Sequence, residues 1–220
     1  MIHEIAPHKL DNEFKTIDPK PTDYLIIHNG EQTLFKKNGD NYEIPRVSDF
    51  SQCECHYLIS IDDAAYFLCN TNLPEVLEGY EFRGNRTFRT LANHLERLGG
   101  ATAAHIAKWE SLNKFCGKCG CLMKRGIKER SMICPSCKNT VYPKISPVVI
   151  VAVRNGNELL MARNLDNPDK TRMFLISGFV EIGESLEQAV KREDIPEYDT
   201  SVSISSCLIE NFRSGYTIKE

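Results

Sequence analysis

Cys116-Gly-Lys-Cys119 and Cys134-Pro-Ser-Cys137 decide how the middle of this chain folds. Fourteen residues separate the two pairs, enough for a short β-hairpin to gather four sulfurs around one tetrahedral ion. Zinc accepts four thiolates without redox chemistry and without an open coordination position. Cys116, Cys119, Cys134 and Cys137 are therefore the predicted ligands of a structural Zn²⁺. The motif names a metal but no reaction.

Composition bounds the rest. A chain of 220 residues can bury one good core and a second. Its 41% hydrophobic and 26% charged residues are ordinary for a soluble globular protein. A net charge of −3 argues against a protein built mainly to coat nucleic acid. Charge is uneven, however: from Lys114 to Lys144 eight Lys/Arg and one Glu give +7. Zinc with four thiolates subtracts about two charges. What remains reads either as a solvated ribbon surface or as an attractor of phosphates.

No apolar run is long enough to suggest a membrane span, and Met-Ile-His-Glu at the N-terminus shows no signal-peptide pattern. Nine cysteines without such a signal fit a reducing cytoplasm. Cys53, Cys55, Cys69, Cys121 and Cys207 lie outside the paired set. Cys53-Glu-Cys55-His56 reads as a second metal cluster or as thiols in a strand; with no matching pair elsewhere, thiols are the expectation.

Outward from the ribbon, an α+β organisation is predicted in four parts: a strand-rich domain over 1–97, a linker helix over 98–113, the ribbon over 114–141 and a last domain over 142–220. In the first, Tyr24-Leu-Ile-Ile-His28 reads as a strand, with Asn29-Gly30 turning it into Thr33-Leu-Phe-Lys36 and a second turn at Asn38-Gly39. Asp62 to Asn70 is an element of ambiguous period. Thr102 to Asn113 reads as helix, with Trp109 a packing residue or a base-stacking platform. In the last part, Val148-Val-Ile-Val-Ala-Val153 is a continuous apolar run that predicts a buried strand. Asn155-Gly156 turns it into Glu158-Leu-Leu-Met-Ala162. Ser185-Leu-Glu-Gln188 has the form of a helix capping box.

The helix that follows carries the second chemical signal. Glu193 and Glu197 are four apart, on one face of a regular helix. Arg192 and Glu184 are placed to form an ion pair between that helix and the turn before it. Mg²⁺ and Mn²⁺ favour oxygen ligands and can bridge a carboxylate pair to a diphosphate. Two glutamates at this spacing are also what a solvated helix surface looks like.

The whole string, Gly178-Phe-Val-Glu-Ile-Gly-Glu184 through Arg192-Glu193, resembles the Nudix box, the loop–helix–loop motif of hydrolases of nucleoside diphosphates linked to another group. With a four-cysteine ribbon directly before it, the chain resembles the NADH pyrophosphatase subfamily. Phe115-Cys-Gly-Lys-Cys-Gly120, Tyr142-Pro-Lys-Ile-Ser-Pro-Val-Val-Ile150 and Ser177-Gly-Phe-Val-Glu-Ile-Gly-Glu-Ser185 carry that resemblance, over about residues 100 to 193. It implies a Nudix α/β/α sandwich and a cytoplasmic homodimer that cuts NADH or NAD⁺ into nicotinamide mononucleotide and AMP. Removal of NAD caps from RNA is implied by some relatives. By position, the carbonyl of Ser177 and the carboxylates of Glu193 and Glu197 would hold Mg²⁺ or Mn²⁺. Tyr142 and Phe179 match substrate-contacting positions, where flat rings can stack on a base; packing in the core is the other reading.

After Glu193 the string departs from the family pattern. Asp194, Pro196, Asp199 and Thr200 stand where an apolar residue, Glu, Gly and an apolar residue are expected. Pro196 removes a helical hydrogen bond and disfavours helical geometry at Ile195, so the helix is expected to end or kink near Asp194. Thr200 to Glu220 contains no Ser-Gln-Pro-Trp-like signature, so an incomplete sandwich is expected, with Ser201–Ser206 as a remaining strand. A catalytically impaired homologue that binds nucleotide or RNA is the alternative expectation.

Overall fold

Gly30 and Gly39 both sit at positive φ, +104° and +59°, so the two Asn-Gly steps turn the chain as the sequence predicts. The structure, a computed structural model, describes residues 3–50, 53–70, 77–155, 157–166, 168–193, 208–209 and 218–219. The chain divides into two units, Ile2–Lys144 and Ile145–Glu220.

The strand-rich part of the first unit is built on two sheets. One orders β1 (Leu10–Asp11), β5 (Cys55–Ile61), β6 (Ala64–Cys69) and β2 (Tyr24–Ile26) as β1-β5-β6-β2, with only β2 and β6 parallel. The other orders β4 (Asn41–Glu43), β3 (Thr33–Asn38) and β7 (Tyr80–Arg83) as β4-β3-β7, all antiparallel. Asp62 to Asn70, ambiguous in sequence, is thus a two-residue turn and strand β6. Leu25, Ile26, Leu34, Phe35, Ile59 and Phe67 are fully buried and form the core. The β5–β6 ladder slips by one residue at Leu58, a bulge that leaves one β5 residue without a ladder partner.

Helix α1 (His94–Leu112) covers this core and begins eight residues before the predicted Thr102. Asn93 caps it, its side chain accepting from the Leu95 N–H at 2.9 Å. Gly99 and Gly100 hide the early turns from a propensity reading, since each costs about 1 kcal/mol relative to Ala. Packing explains both. A Cβ on Gly99 would lie 2.3 Å from the Tyr66 ring, and one on Gly100 would lie 2.5 Å from Ile44 and Phe88. Trp109 is buried on the same helix, so it packs.

Two findings correct the reading of the cysteines in this unit. Cys53 and Cys69 are joined by a disulfide rather than remaining separate thiols, because Cys69 ends β6 beside the residues that lead into β5. Among the described residues the only metal-competent group of three or more His, Cys, Asp or Glu is the ribbon set, so Cys53-Glu-Cys55-His56 is not a second metal cluster.

In the second unit β11 (Val148–Val151) pairs antiparallel with β14 (Ile176–Phe179) and with β15 (Leu208–Ile209), which pairs with β16 (Ile218–Lys219). A separate hairpin joins β12 (Arg154–Asn155) to β13 (Glu158–Leu159). The apolar run of β11 alternates instead of being uniformly buried: Val149 and Val151 point inward while Val148 and Ile150 are half-buried. Helix α2 (Leu186–Glu193) lays Ala189 and Val190 on those two valines. The expected strand Ser201–Ser206, together with Pro196 and Glu197, lies outside the described residues. Among the described residues no helix is long and apolar enough to cross a membrane.

Candidate functional site

The ribbon strands β8 (Lys124–Arg125), β9 (Met132–Ile133) and β10 (Thr140–Val141) form a three-stranded sheet ordered β10-β9-β8. Cys116, Cys119, Cys134 and Cys137 bring their sulfurs within 4.8 Å of one another. Cys116 and Cys137 are 3.6 Å apart, and Cys119 and Cys134 are 3.4 Å apart. Zn–S bonds of about 2.3 Å in a tetrahedron require S···S near 3.8 Å, so the four cysteines fit zinc with only a small expansion.

The two halves of the site repeat one backbone pattern. Cys116 N–H donates to the Cys121 carbonyl and Gly120 N–H to that of Cys116, both at 2.8 Å. Likewise Cys134 N–H donates to Asn139 (2.9 Å) and Lys138 N–H to Cys134 (3.0 Å). Each loop needs a left-handed residue after its second cysteine, filled by Gly120 at φ +74° and by Lys138 at φ +60°. Amides also point at sulfur: Lys118 N–H at Cys116 and Cys137 N–H at Cys134, both 3.4 Å. They draw the Cys116 thiol down to about 6 and lower that of Cys134. At Cys119 the Cys121 N–H is outweighed by the neighbouring Cys134 and Cys137 sulfurs, which push its thiol up to about 12, so with no ion between them the four sulfurs share protons. Thiolates are the form zinc binds.

The ribbon is clipped to the strand-rich part of its own unit by two arginines. Arg130 donates to the carbonyl of Asn12 at 2.9 Å and to that of Leu58, the bulged residue of β5. Arg125 donates to the Asn70 side chain at 2.6 Å and lies 3.6 Å from the Glu110 carboxylate. Glu110 also pairs with His56 at 3.0 Å. Two of the eight ribbon cations are therefore structural, while Lys114, Lys118, Lys124, Lys128, Lys138 and Lys144 are exposed.

In the second unit the expected capping box forms: Ser185 N–H donates to Gln188 Oε1 at 2.7 Å, and Gln188 N–H to Ser185 Oγ at 3.3 Å. The expected Arg192–Glu184 pair also forms, bidentate, at 2.6 and 2.9 Å. Arg192 further donates to the Phe179 carbonyl at 2.7 Å and to Glu193 Oε1. Glu184 in turn accepts from the Glu181 N–H at 2.9 Å. The Arg192 guanidinium and that amide hold the Glu184 carboxyl down to about 2, and Glu184 raises the Arg192 pKa in return. One side chain thus ties the loop, strand β14 and helix α2 together.

Glu193 is half-buried with its carboxylate over Gly178, where an added Cβ would meet it at 2.0 Å. Ser177, the residue before, is exposed on β14. A carboxylate and a strand backbone side by side are oxygen donors of the type a hard divalent cation takes. Glu197 lies outside the described residues. Tyr142 and Phe179 are 55% and 49% exposed, so neither packs in a core; Tyr142 O–H donates to Glu129 at 2.9 Å.

Among known proteins the ribbon has clear counterparts: residues 111–142 match the NADH pyrophosphatase zinc ribbon domain. The chain is 40% identical over 179 residues to the NAD-capped RNA hydrolase NudC of Stutzerimonas stutzeri (strain A1501), covering 77% of this chain and 62% of that protein. It is a homologue of the NADH pyrophosphatase subfamily of Nudix hydrolases. A second relative, NudC of Pseudomonas fluorescens (strain Pf0-1), is 31% identical over 176 residues, 79% of this chain and 63% of its own. This NADH pyrophosphatase homologue therefore spans somewhat over three fifths of the length of these two relatives. Sequence reasoning missed the Arg130 and Arg125 clips; an arginine in a ribbon carries no signal of which carbonyl it will reach.

Proposed function

We propose that this chain hydrolyses the pyrophosphate of NADH or NAD⁺, and of an NAD cap on RNA, as a cytoplasmic homodimer. The observation that carries the reading is Arg192, which fixes Glu193 over Gly178 while holding the loop through Glu184 and Phe179. Ser177, Glu193 and Glu197 are the residues that would hold Mg²⁺ or Mn²⁺; such an ion neutralises phosphate charge and lowers the pKa of a bound water. Water adds to one phosphorus, the bridging P–O bond breaks, and the bridging oxygen leaves on the other phosphate. NADH or NAD⁺ gives the nicotinamide mononucleotide and AMP, whereas a capped RNA gives the nicotinamide mononucleotide and an RNA ending in a 5′-monophosphate. Exposed rings at Tyr142 and Phe179 suit stacking on a base. The exposed ribbon lysines suit the RNA backbone. Relatives bearing the name NAD-capped RNA hydrolase support the substrate class.

A second reading, a nucleotide- or RNA-binding homologue without turnover, is favoured by Pro196 standing where the family places an acidic residue. One assay separates the two: purified chain with NADH and Mn²⁺, scored for AMP, beside Glu193→Gln. AMP from the native chain and none from the variant supports hydrolysis. No AMP at high protein concentration rejects it, and NAD⁺ binding that survives Glu193→Gln then supports the binder.

A further inference from the structure

Cys53, Cys55 and Cys69 take no part in the proposed reaction, yet all three meet at one end of the β5–β6 hairpin. Cys53 and Cys69 are bonded, with Cα atoms 6.1 Å apart, while Cys55 is a half-buried thiol. Cys55 is also the direct cross-strand partner of Cys69. The Asn70 N–H donates to the Glu54 carbonyl at 2.7 Å, which makes Glu54 and Asn70 the hydrogen-bonded pair. Cys55 and Cys69 are then the closer, non-hydrogen-bonded pair, with Cα atoms about 4.5 Å apart. Cys53 lies in the turn two residues before β5 begins, and its bond to Cys69 brings it beside the same residue that Cys55 faces across the ladder. All three pack against the cluster that includes Leu25, Leu34, Tyr57 and Phe67. Both pairings fall within the Cα range of about 4.4–6.8 Å that a disulfide spans.

We propose that these three residues form a thiol–disulfide exchange centre, in which Cys55 competes with Cys53 for Cys69 and the outcome is coupled to how the ribbon is held. The Cys55 thiolate attacks Cys69 Sγ, a Cys55–Cys69 bond forms, and the Cys53–Cys69 bond breaks. Cys53 leaves as a thiolate and takes up the proton that Cys55 gave up, so the exchange needs no outside oxidant. Burial pushes the Cys55 thiol up, which keeps the thiolate fraction small near neutral pH and makes the exchange slow. A small dithiol would reduce either bridge, becoming a disulfide itself.

The coupling runs through the next residue on each strand. His56 follows Cys55 and Asn70 follows Cys69, and their side chains lie 2.9 Å apart. His56 reaches Glu110 at 3.0 Å, and Asn70 accepts from Arg125 of the ribbon at 2.6 Å. A bridge moved from Cys53 to Cys55 changes the tether on the strand that carries His56, and with it the seat of Arg125.

The test uses the full zinc-loaded chain, equilibrated in a glutathione redox buffer at mildly alkaline pH, acid-quenched, alkylated and peptide-mapped without reduction. Expected are Cys53–Cys69 and Cys55–Cys69 cross-links in the native chain, Cys55–Cys69 alone in Cys53→Ser, and Cys53–Cys69 alone in Cys55→Ser. Amide exchange over Lys124–Ile133 is expected to differ by about threefold or more between the two variants, as local opening free energies shift. A native map with Cys53–Cys69 alone overturns the exchange, and this map needs no variant to fold. Equal amide exchange in the two bridged variants overturns the coupling to the ribbon.

Discussion

His105 offers the sharpest test of how α1 is seated. Burial, with Lys108 nearby adding repulsion, drives its pKa down to about 4, against weaker support from the Lys144 carbonyl. The unfolded chain titrates near 6.5, so above that pH both states hold a neutral ring and nothing is lost. As pH falls from about 6.5 towards 4, the unfolded state takes up a proton that the folded state refuses, and stability declines; below about 4 the decline levels off. The gap between these values corresponds to about 3.4 kcal/mol at full burial. Partial solvent contact reduces this to on the order of 1 to 2 kcal/mol. Trp109, the single tryptophan, is buried one turn along the same helix, so its fluorescence follows this unit specifically. Urea denaturation at pH 7.5 and 4.5 should show the native chain losing about 1 to 2 kcal/mol more than His105→Gln, which cannot titrate. His28 is shifted the same way by burial, and it cancels in the comparison. Equal losses in both proteins, or an NMR titration placing His105 at 6.5 or above, would refute the reasoning.

Other outcomes follow from the two sites. Metal analysis should find one zinc per chain at the four-cysteine cluster, and Cys134→Ser should lose most of it, because a structural site needs its full ligand set. Lys138→Gly should raise the ribbon's stability by about 1 kcal/mol, the order of the left-handed penalty a side chain pays there, read as slower zinc transfer to a chelator; an unchanged rate would contradict it. Arg192→Gln should return the Glu184 carboxyl from about 2 to the ordinary carboxylate range. The native contribution of Glu184 is present above about 4.5 and lost as pH falls through about 2, so a carboxylate NMR titration distinguishes the two proteins. Gly178→Ala would put a methyl 2.0 Å from the Glu193 carboxyl carbon, and should weaken Mn²⁺ binding by about tenfold, the scale of a displaced ligand support.

Features set by local chemistry were legible in the sequence: the cysteine spacing, the Asn-Gly turns, the Ser185–Gln188 box and the Arg192–Glu184 pair. Each depends on residues close in the chain or on a motif with one geometric solution. Features set by distant packing were not. The first two turns of α1 vanish behind Gly99 and Gly100, because their reason is the ring of Tyr66 and the side chains of Ile44 and Phe88. The Cys53–Cys69 bond depends on strand register across a 16-residue separation, which composition cannot supply.

The bulge at Leu58 gives the ribbon a second allegiance. A strand irregularity leaves a carbonyl wanting a donor, and the donor arrives from a metal-stapled hairpin 72 residues further along the chain. A foreign ribbon grafted at this position would bind its ion yet leave that oxygen orphaned unless it brought its own counterpart of Arg130. Interchangeability of such modules would then be governed by the host sheet's defects rather than by the metal.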